Sequence, residues 1–278
     1  MDNNRQKKIA VINDFSGFGR CSIAVTLPIV SAMGIQCCAV PTAILSNHTG
    51  YKEYFFDDYT QNMEQYFSNW KKLGLEFDGI YTGFLGSIEQ IDIVKKFIKE
   101  FKTEKTIVIV DPVMGDNGKL YQTFTKEICQ KMKELCEVAD IITPNITEAC
   151  FLTNTNYVEG EYNKDKMLEM AKKLSIGGVK KVIITGICYK EEIANYLYEK
   201  DGNEISVCTV AGLKIGEERA GTGDVFSSII AGESVNGGDL KNAVLKAGRF
   251  IAQATKKSND LKIDREDGIC FELFLKDL

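Results

Sequence analysis

The sequence predicts an α/β fold: a mostly parallel sheet with helices on both faces and an antiparallel hairpin at its edge. Three observations predict it. Short β-rich runs alternate with longer segments of helical period, as in βαβ units. One late pair of strand-like segments breaks that alternation around a turn. Polar residues also crowd the strand exits, where open α/β sheets bind their ligands.

The strands read Lys8 to Ile12, Gln36 to Ile44, Asp78 to Tyr81, Thr106 to Val110, Asp140 to Ile142 and Lys181 to Ile184. Between them, Ile91, Val94, Ile98 and Phe101 fall at helical spacing, as do Met167, Leu168, Ala171 and Leu174 before Gly177-Gly178. Ala194 to Glu199 and Glu204 to Val210 alternate in strand fashion around Asp201-Gly202-Asn203, which predicts the edge hairpin. Leu240, Ala243, Val244, Ala247, Phe250, Ile251 and Ala254 predict an amphipathic helix of about four turns. All four prolines are expected at element ends, and the lack of a linker or repeat predicts one domain over residues 1–278.

A chain of 278 residues can bury roughly three quarters of its unfolded surface. With 44% hydrophobic and 26% charged residues it has an ordinary globular composition. No apolar run reaches membrane-span length and Met1-Asp2-Asn3-Asn4-Arg5 is no signal peptide, so a cytoplasmic location without membrane association is expected. The net charge of -5 argues against nucleic acid and for a small-molecule partner. Nine cysteines without a C-x-x-C pair suggest neither a disulfide framework nor a zinc site; they read as reduced, mostly buried thiols, with Cys37 and Cys38 in the core. His48 is the only histidine and reads as a neutral, hydrogen-bonded ring.

The strand exits carry Asn13-Asp14-Phe15-Ser16-Gly17-Phe18-Gly19, Ser46-Asn47-His48-Thr49-Gly50, Thr82-Gly83, Asp111-Pro112-Val113-Met114-Gly115-Asp116, Thr143-Pro144-Asn145-Ile146-Thr147-Glu148 and Thr185-Gly186. A carboxylate, amide or hydroxyl at nearly every exit points to one crevice. Gly221-Thr222-Gly223-Asp224 precedes a run of helical length. Backbone N–H groups at a helix start hold an anion, and Asp224 can accept the proton of an attacking hydroxyl. A glycine turn with an aspartate N-cap is the competing reading. Gly118-Lys119 is followed by Leu120, so no P-loop exists, and Gly17-Phe18-Gly19 lacks the third glycine of a dinucleotide fingerprint. Asp111 and Asp116 are candidates for Mg²⁺ or for an Asp-Pro turn. Asn145 and Glu148 suit a capping box as well as ligation. Asp14 also reads as a turn residue.

In this order the segments Ser46-Asn47-His48-Thr49-Gly50-Tyr51, Thr82-Gly83-Phe84-Leu85-Gly86-Ser87, Asp111 to Asp116, Thr143-Pro144-Asn145 with Glu148, and Gly221 to Asp224 resemble the ribokinase-like superfamily, and within it the pyridoxal, pyridoxamine and pyridoxine kinases. The resemblance implies a three-layer α/β/α fold and ATP-dependent phosphorylation of the 5'-hydroxyl of a B6 vitamer. It further implies Mg²⁺, a monovalent cation (K⁺ or Na⁺) and a homodimer. By it, Asp224 is the base and the amides of Gly221 to Gly223 form the anion hole. Thr49 and Phe84 contact the vitamin. Asp111, Asp116 and Glu148 organise metal and phosphates. Thr143, Asn145, Thr185, Gly186 and Thr222 lie along ATP, Tyr121 lies near the phosphates, and Ile215 to Glu217 forms the adenine-side loop. Gly115 to Gln122 is the expected flap. Asp14 departs from the serine usual in pyridoxal kinases and resembles the hydroxymethylpyrimidine kinases of thiamine synthesis, which keeps that substrate open. Phe84 replaces a tyrosine of some relatives.

Overall fold

The computed structural model describes residues 5–121, 124–160, 162–189 and 191–278, with backbone alone at Tyr189. In chain order the elements begin β1 (Lys8–Phe18), α1 (Ser22–Ala32), β2 (Gln36–Asn47), β3 (Phe56–Asp58), α2 (Thr60–Lys72), β4 (Gly79–Thr82), α3 (Ile88–Phe101) and β5 (Ile107–Val110). A small ribbon follows, β6 (Gly115–Asp116) and β7 (Lys119–Leu120), then α4 (Lys126–Cys136), β8 (Ile141–Ile142), α5 (Ile146–Thr153) and α6 (Lys164–Leu174). The chain continues with β9 (Lys181–Tyr189), β10 (Glu192–Asp201), β11 (Glu204–Leu213), α7 (Thr222–Asn236), α8 (Leu240–Asp260) and a 3-10 helix over Phe271–Asp277.

Among the described residues, nine strands form one sheet in the order β11-β10-β9-β8-β5-β4-β1-β2-β3. The six strands from β9 to β2 run parallel, while β10, β11 and β3 run antiparallel to their neighbours. The predicted edge hairpin is therefore present. Alternate residues of the inner strands feed two cores. Ala10, Ile12, Ile80, Val108, Val110 and Val182 pack with helices α2 to α6. Ile9, Val11, Tyr81, Ile109 and Ile183 pack with α1, α7 and α8. The result is the three-layer architecture. No helix of the described residues is long and apolar enough to cross a membrane.

Local chemistry sets the helix starts that matter for the crevice. Ser87 accepts from the Gln90 N–H to open α3, and Ile91, Val94, Phe97, Ile98 and Phe101 turn one apolar face inward. Helix α7 is buried along most of its length, so it carries no polar stripe; Gly79 in β4 lets it approach, because a Cβ there would stand 2.6 Å from Val235 Cγ2.

Several expectations need correction. β1 continues through Phe18 and β2 through Asn47, because Asp14 and Ser16 satisfy one another inside the strand rather than in a loop. β9 likewise passes Thr185-Gly186: Ile184 faces Tyr196, Ile187 faces Ala194, and a bulge with Gly186 at φ +71° absorbs the extra residue. Pro28 lies inside α1, and Pro41 lies inside β2, where the register with β1 shifts just past its partner Asn13. Helix α8 runs to Asp260 because Thr255 and Ser258 extend its buried face. Among the cysteines, all free, Cys21, Cys136, Cys150 and Cys270 are buried, whereas Cys37, Cys38, Cys129, Cys188 and Cys208 are half-buried.

Candidate active site

Of the predicted strand exits, those of β1, β4, β5 and β8 meet one another against the first turns of α7. Gly221 caps α7 in the left-handed region, at φ +73°. A Cβ there would be driven into the Arg20 carbonyl oxygen, so this glycine answers both a backbone and a packing demand. Gly223 is different: among the described residues, nothing lies within 4 Å of the Cβ it lacks. The fold leaves a bare, open amide in the first turn, the geometry an approaching anion needs. Asp224 stands in that same turn rather than at the N-cap, which Gly221 occupies. The aspartate N-cap reading is thereby overturned.

Asp224 is held from the far end of the chain. Asn13 Nδ2, at the end of the regular β1 ladder, donates to Asp224 Oδ1 at 3.2 Å. The Asn13 oxygen accepts the N–H of Asp14 at 2.9 Å and of Phe84 at 2.8 Å, so one amide ties β1, the β4 exit and α7 together. A side chain at Gly83 would collide with that amide. Asp14 accepts hydroxyls from Ser16 and Ser22. Phe84 turns its ring edge to Phe124 at 6.0 Å, an apolar wall beside this polar cluster. Ser22 is a site residue that sequence reasoning missed; Asn13 stood in the predicted strand exit, as the first polar residue after an apolar run, but with no role of its own.

A second chain of bonds runs beneath. Ser227, three residues after Asp224 and so on the same helix face, donates to Asp111 Oδ2 at 2.9 Å and lies 2.9 Å from the Thr143 hydroxyl. Ser227 also was missed, its polarity hidden in an apolar helix. Beside it, Asn145 and Glu148 form the expected capping box of α5. Glu148 does more than cap: its oxygens take the N–H groups of Asn145 at 2.8 Å and Met114 at 3.0 Å. Asn145 Nδ2 donates to the Gly115 carbonyl at 2.8 Å and its backbone bridges Thr185.

Gly115 to Leu120 forms the ribbon β6–β7, turned by Asn117 at φ +51° and Gly118 at φ +75°. Its tip donates from Gly118 N to Thr147 Oγ1 at 2.9 Å and from Asn117 to Glu218 at 3.3 Å, so it reaches the 215–219 loop. Tyr121 stands 46% exposed at its foot, and Gln122 of the expected flap lies outside the described residues. Thr49 is exposed in the turn after His48, and Thr222 Oγ1 donates to the Arg219 carbonyl at 3.2 Å. Gly50 N donates to His48 Nδ1, which leaves Nε2 to meet the Glu266 carbonyl, an arrangement of the neutral ring.

Asp14, Asp111, Glu148 and Asp224 form no ion pair with Lys or Arg among the described residues. Burial pushes Asp111 up to about 7, with the Asp224 charge adding to it. Burial pushes Asp224 up to about 6, opposed by the Ser22 N–H and the Asn13 amide and assisted by Asp14. Burial, then Asp111, raises Glu148 well above the carboxylate range, and burial raises Asp14 and Asp116. So much unpaired carboxylate lowers its energy by protonation or by a cation. Asp111, Asp116 and Glu148 do not gather as a closed cage: among the described residues no three His, Cys, Asp or Glu side chains cluster for a metal. They suit an ion that keeps waters and takes phosphate oxygens, which is the habit of Mg²⁺.

This fold and this crevice define a ribokinase-like small-molecule kinase. Residues 23–270 match the phosphomethylpyrimidine kinase family, and the chain belongs to that family. A Bacteroides thetaiotaomicron protein designated a candidate phosphomethylpyrimidine kinase, crystallised with pyridoxal, is 39% identical with a TM-score of 0.94, over 98% of this chain and 96% of that one. The pyridoxine kinase of Bacillus subtilis is 31% identical over 191 residues, a match spanning 66% of each chain. The hydroxymethylpyrimidine/phosphomethylpyrimidine kinase of Aquifex aeolicus is 30% identical over 187 residues, 66% of this chain and 69% of that one.

Proposed function

We propose that the protein phosphorylates the 5'-hydroxyl of pyridoxal, pyridoxamine or pyridoxine with ATP. The observation that carries the reading is the first turn of α7: a carboxylate held by Asn13 beside the bare Gly223 amide, with a glycine cap at Gly221. Base and anion hole stand within four residues, which is what phosphoryl transfer asks of a protein. Asp224 takes the proton of the attacking hydroxyl, and a group held near 6 is ionised at neutral pH yet basic enough to accept it. The amides of Gly221 to Gly223 meet the charge that grows on the transferred group. Asp111, Asp116 and Glu148 would hold Mg²⁺, which supplies charge to the nucleotide phosphates when bound. Thr143, Asn145, Thr185, Gly186 and Thr222 line the ATP side, with the ribbon β6–β7 and Tyr121 above it. Asp14, Thr49 and Phe84 face the vitamin. The pyridoxine kinase relative and the pyridoxal-containing neighbour support the ring assignment.

A second reading, hydroxymethylpyrimidine as acceptor, is favoured by Asp14, whose carboxylate suits an exocyclic amine, and by the family description. One panel decides: kcat/KM for pyridoxal, pyridoxamine, pyridoxine and hydroxymethylpyrimidine with Mg-ATP. We expect the B6 vitamers to lead. A clear preference for the pyrimidine would replace the substrate and leave the kinase chemistry standing, whereas no turnover of any of the four would remove the proposal.

A further inference from the structure

Arg219, two residues before the glycine cap of α7, is not used by the reading above. Its Nη1 donates to three backbone carbonyls of the loop that follows α8: Ile263 at 2.9 Å, Asp264 at 3.0 Å and Gly268 at 3.3 Å. Its Nη2 donates to Asn259 Oδ1, at the end of α8, at 2.9 Å. Convergent carbonyl oxygens are the ligand set by which proteins strip the water from an alkali cation. Here the centre of that set is filled by a guanidinium, which is permanently charged and has donors only.

The filled cluster is joined to the anion hole on both sides. Ala220 N donates to the Arg265 carbonyl at 3.3 Å, and the Arg219 carbonyl accepts from Thr222. The same loop carries the other end of the crevice, since Glu266 and Asp267 meet His48 and Tyr51. The position of the Gly221 to Gly223 amides therefore depends on what occupies the carbonyl cluster.

We propose that Arg219 is the resident cation of this site: it fills the carbonyl cluster beside the anion hole, so turnover requires no K⁺ or Na⁺. The monovalent ion that the family resemblance implies does not fit at this cluster. Arg219 is a positioning residue, acting through the loop and the cap of α7.

The test compares full-length wild type, Arg219→Ala and Arg219→Lys in tetramethylammonium chloride and in KCl at matched ionic strength. For wild type, kcat with the substrate chosen from the panel and the melting temperature should be the same in both salts, kcat within about twofold. In Arg219→Ala the emptied carbonyls should accept K⁺: kcat falls by roughly tenfold or more in tetramethylammonium, as for a lost preorganised donor site, and recovers severalfold in KCl. Its melting temperature should rise with K⁺, because an ion that binds only the folded state stabilises it. Arg219→Lys should lie between. K⁺ activation of wild type by tenfold or more would overturn the proposal. So would an Arg219→Ala enzyme as active in tetramethylammonium as wild type, or one whose melting ignores K⁺. The melting arm needs no substrate, so failure of the kinase reading and failure of this one are distinguishable. If Arg219→Ala does not fold, the wild-type and Arg219→Lys arms still decide.

Discussion

Replacing Gly223 by alanine should make the protein slightly more stable and nearly inactive. Among the described residues nothing lies within 4 Å of the added methyl, and Gly223 is the second residue of α7, outside the left-handed region. Alanine is favoured over glycine inside a helix by up to ~1 kcal/mol, and a first-turn position should realise about half of that. For a chain of this size the melting temperature should then rise by about 1–2 °C. The methyl occupies the space an anion would use, and losing one such donor costs about 10²- to 10³-fold in kcat. Gly221→Ala is the control. At φ +73° and against the Arg20 carbonyl it should lose more than about 2 kcal/mol, so activity and stability fall together. The assay is kcat and ATP KM for each variant alongside thermal melting. A Gly223→Ala enzyme with kcat within threefold of wild type would refute the anion-hole assignment; a marked loss of stability would refute the open geometry behind it.

The Asn13 bond to Asp224 is long at 3.2 Å, so its worth belongs at the low end for a charged acceptor, about 1.5 kcal/mol or about one pK unit. Asn13→Leu should move the acid limb of kcat/KM from about 6 to about 7, and Asp224→Asn should lower kcat by roughly 10²- to 10⁴-fold. An unmoved limb in Asn13→Leu would separate Asn13 from the base. Asp111 and Asp224 have raised values, so between about pH 4 and 7 the folded state holds protons that the unfolded state has released. Their contribution is most favourable on the acid side and is lost as pH rises through that window. The stability difference between Asp111→Asn and wild type should therefore grow toward pH 8, and Mg²⁺ with nucleotide should narrow it. A difference flat from pH 5 to 8 in melting experiments would contradict the burial of Asp111.

Much of the fold was legible because burial writes itself into period. Ile107 to Val110 is an apolar run with no alternation, and it became a central strand covered on both faces. The hairpin around Asp201-Gly202-Asn203 was legible from alternation and turn chemistry alone. Where the strands end was not. A reading based on polarity stops at Ile12 and Ile184, yet β1 and β9 go on, since serine hydroxyls satisfy the Asp14 carboxylate in β1 and a glycine bulge carries β9 past Thr185. The three-residue β3 carries too short a pattern to register, and Phe56 to Asp58 is exposed throughout.

The sequence by itself determined the strand-exit part of the crevice, because a strand exit is a local event: apolar run, then Asp111, Thr143 or Asn145. It also determined that Gly221 to Asp224 opens a helix. Only the tertiary structure decided which groups answer one another. Asn13 meets Asp224 across 211 positions, Ser227 meets Asp111 across 116, and Arg219 meets Gly268 across 49. No local pattern encodes such pairs, since they arise when a sheet order and a helix docking bring distant chain ends into one low-dielectric space. The raised values of Asp111 and Asp224 have the same origin: a carboxylate's charge is fixed by its chemistry, but its cost is fixed by what surrounds it.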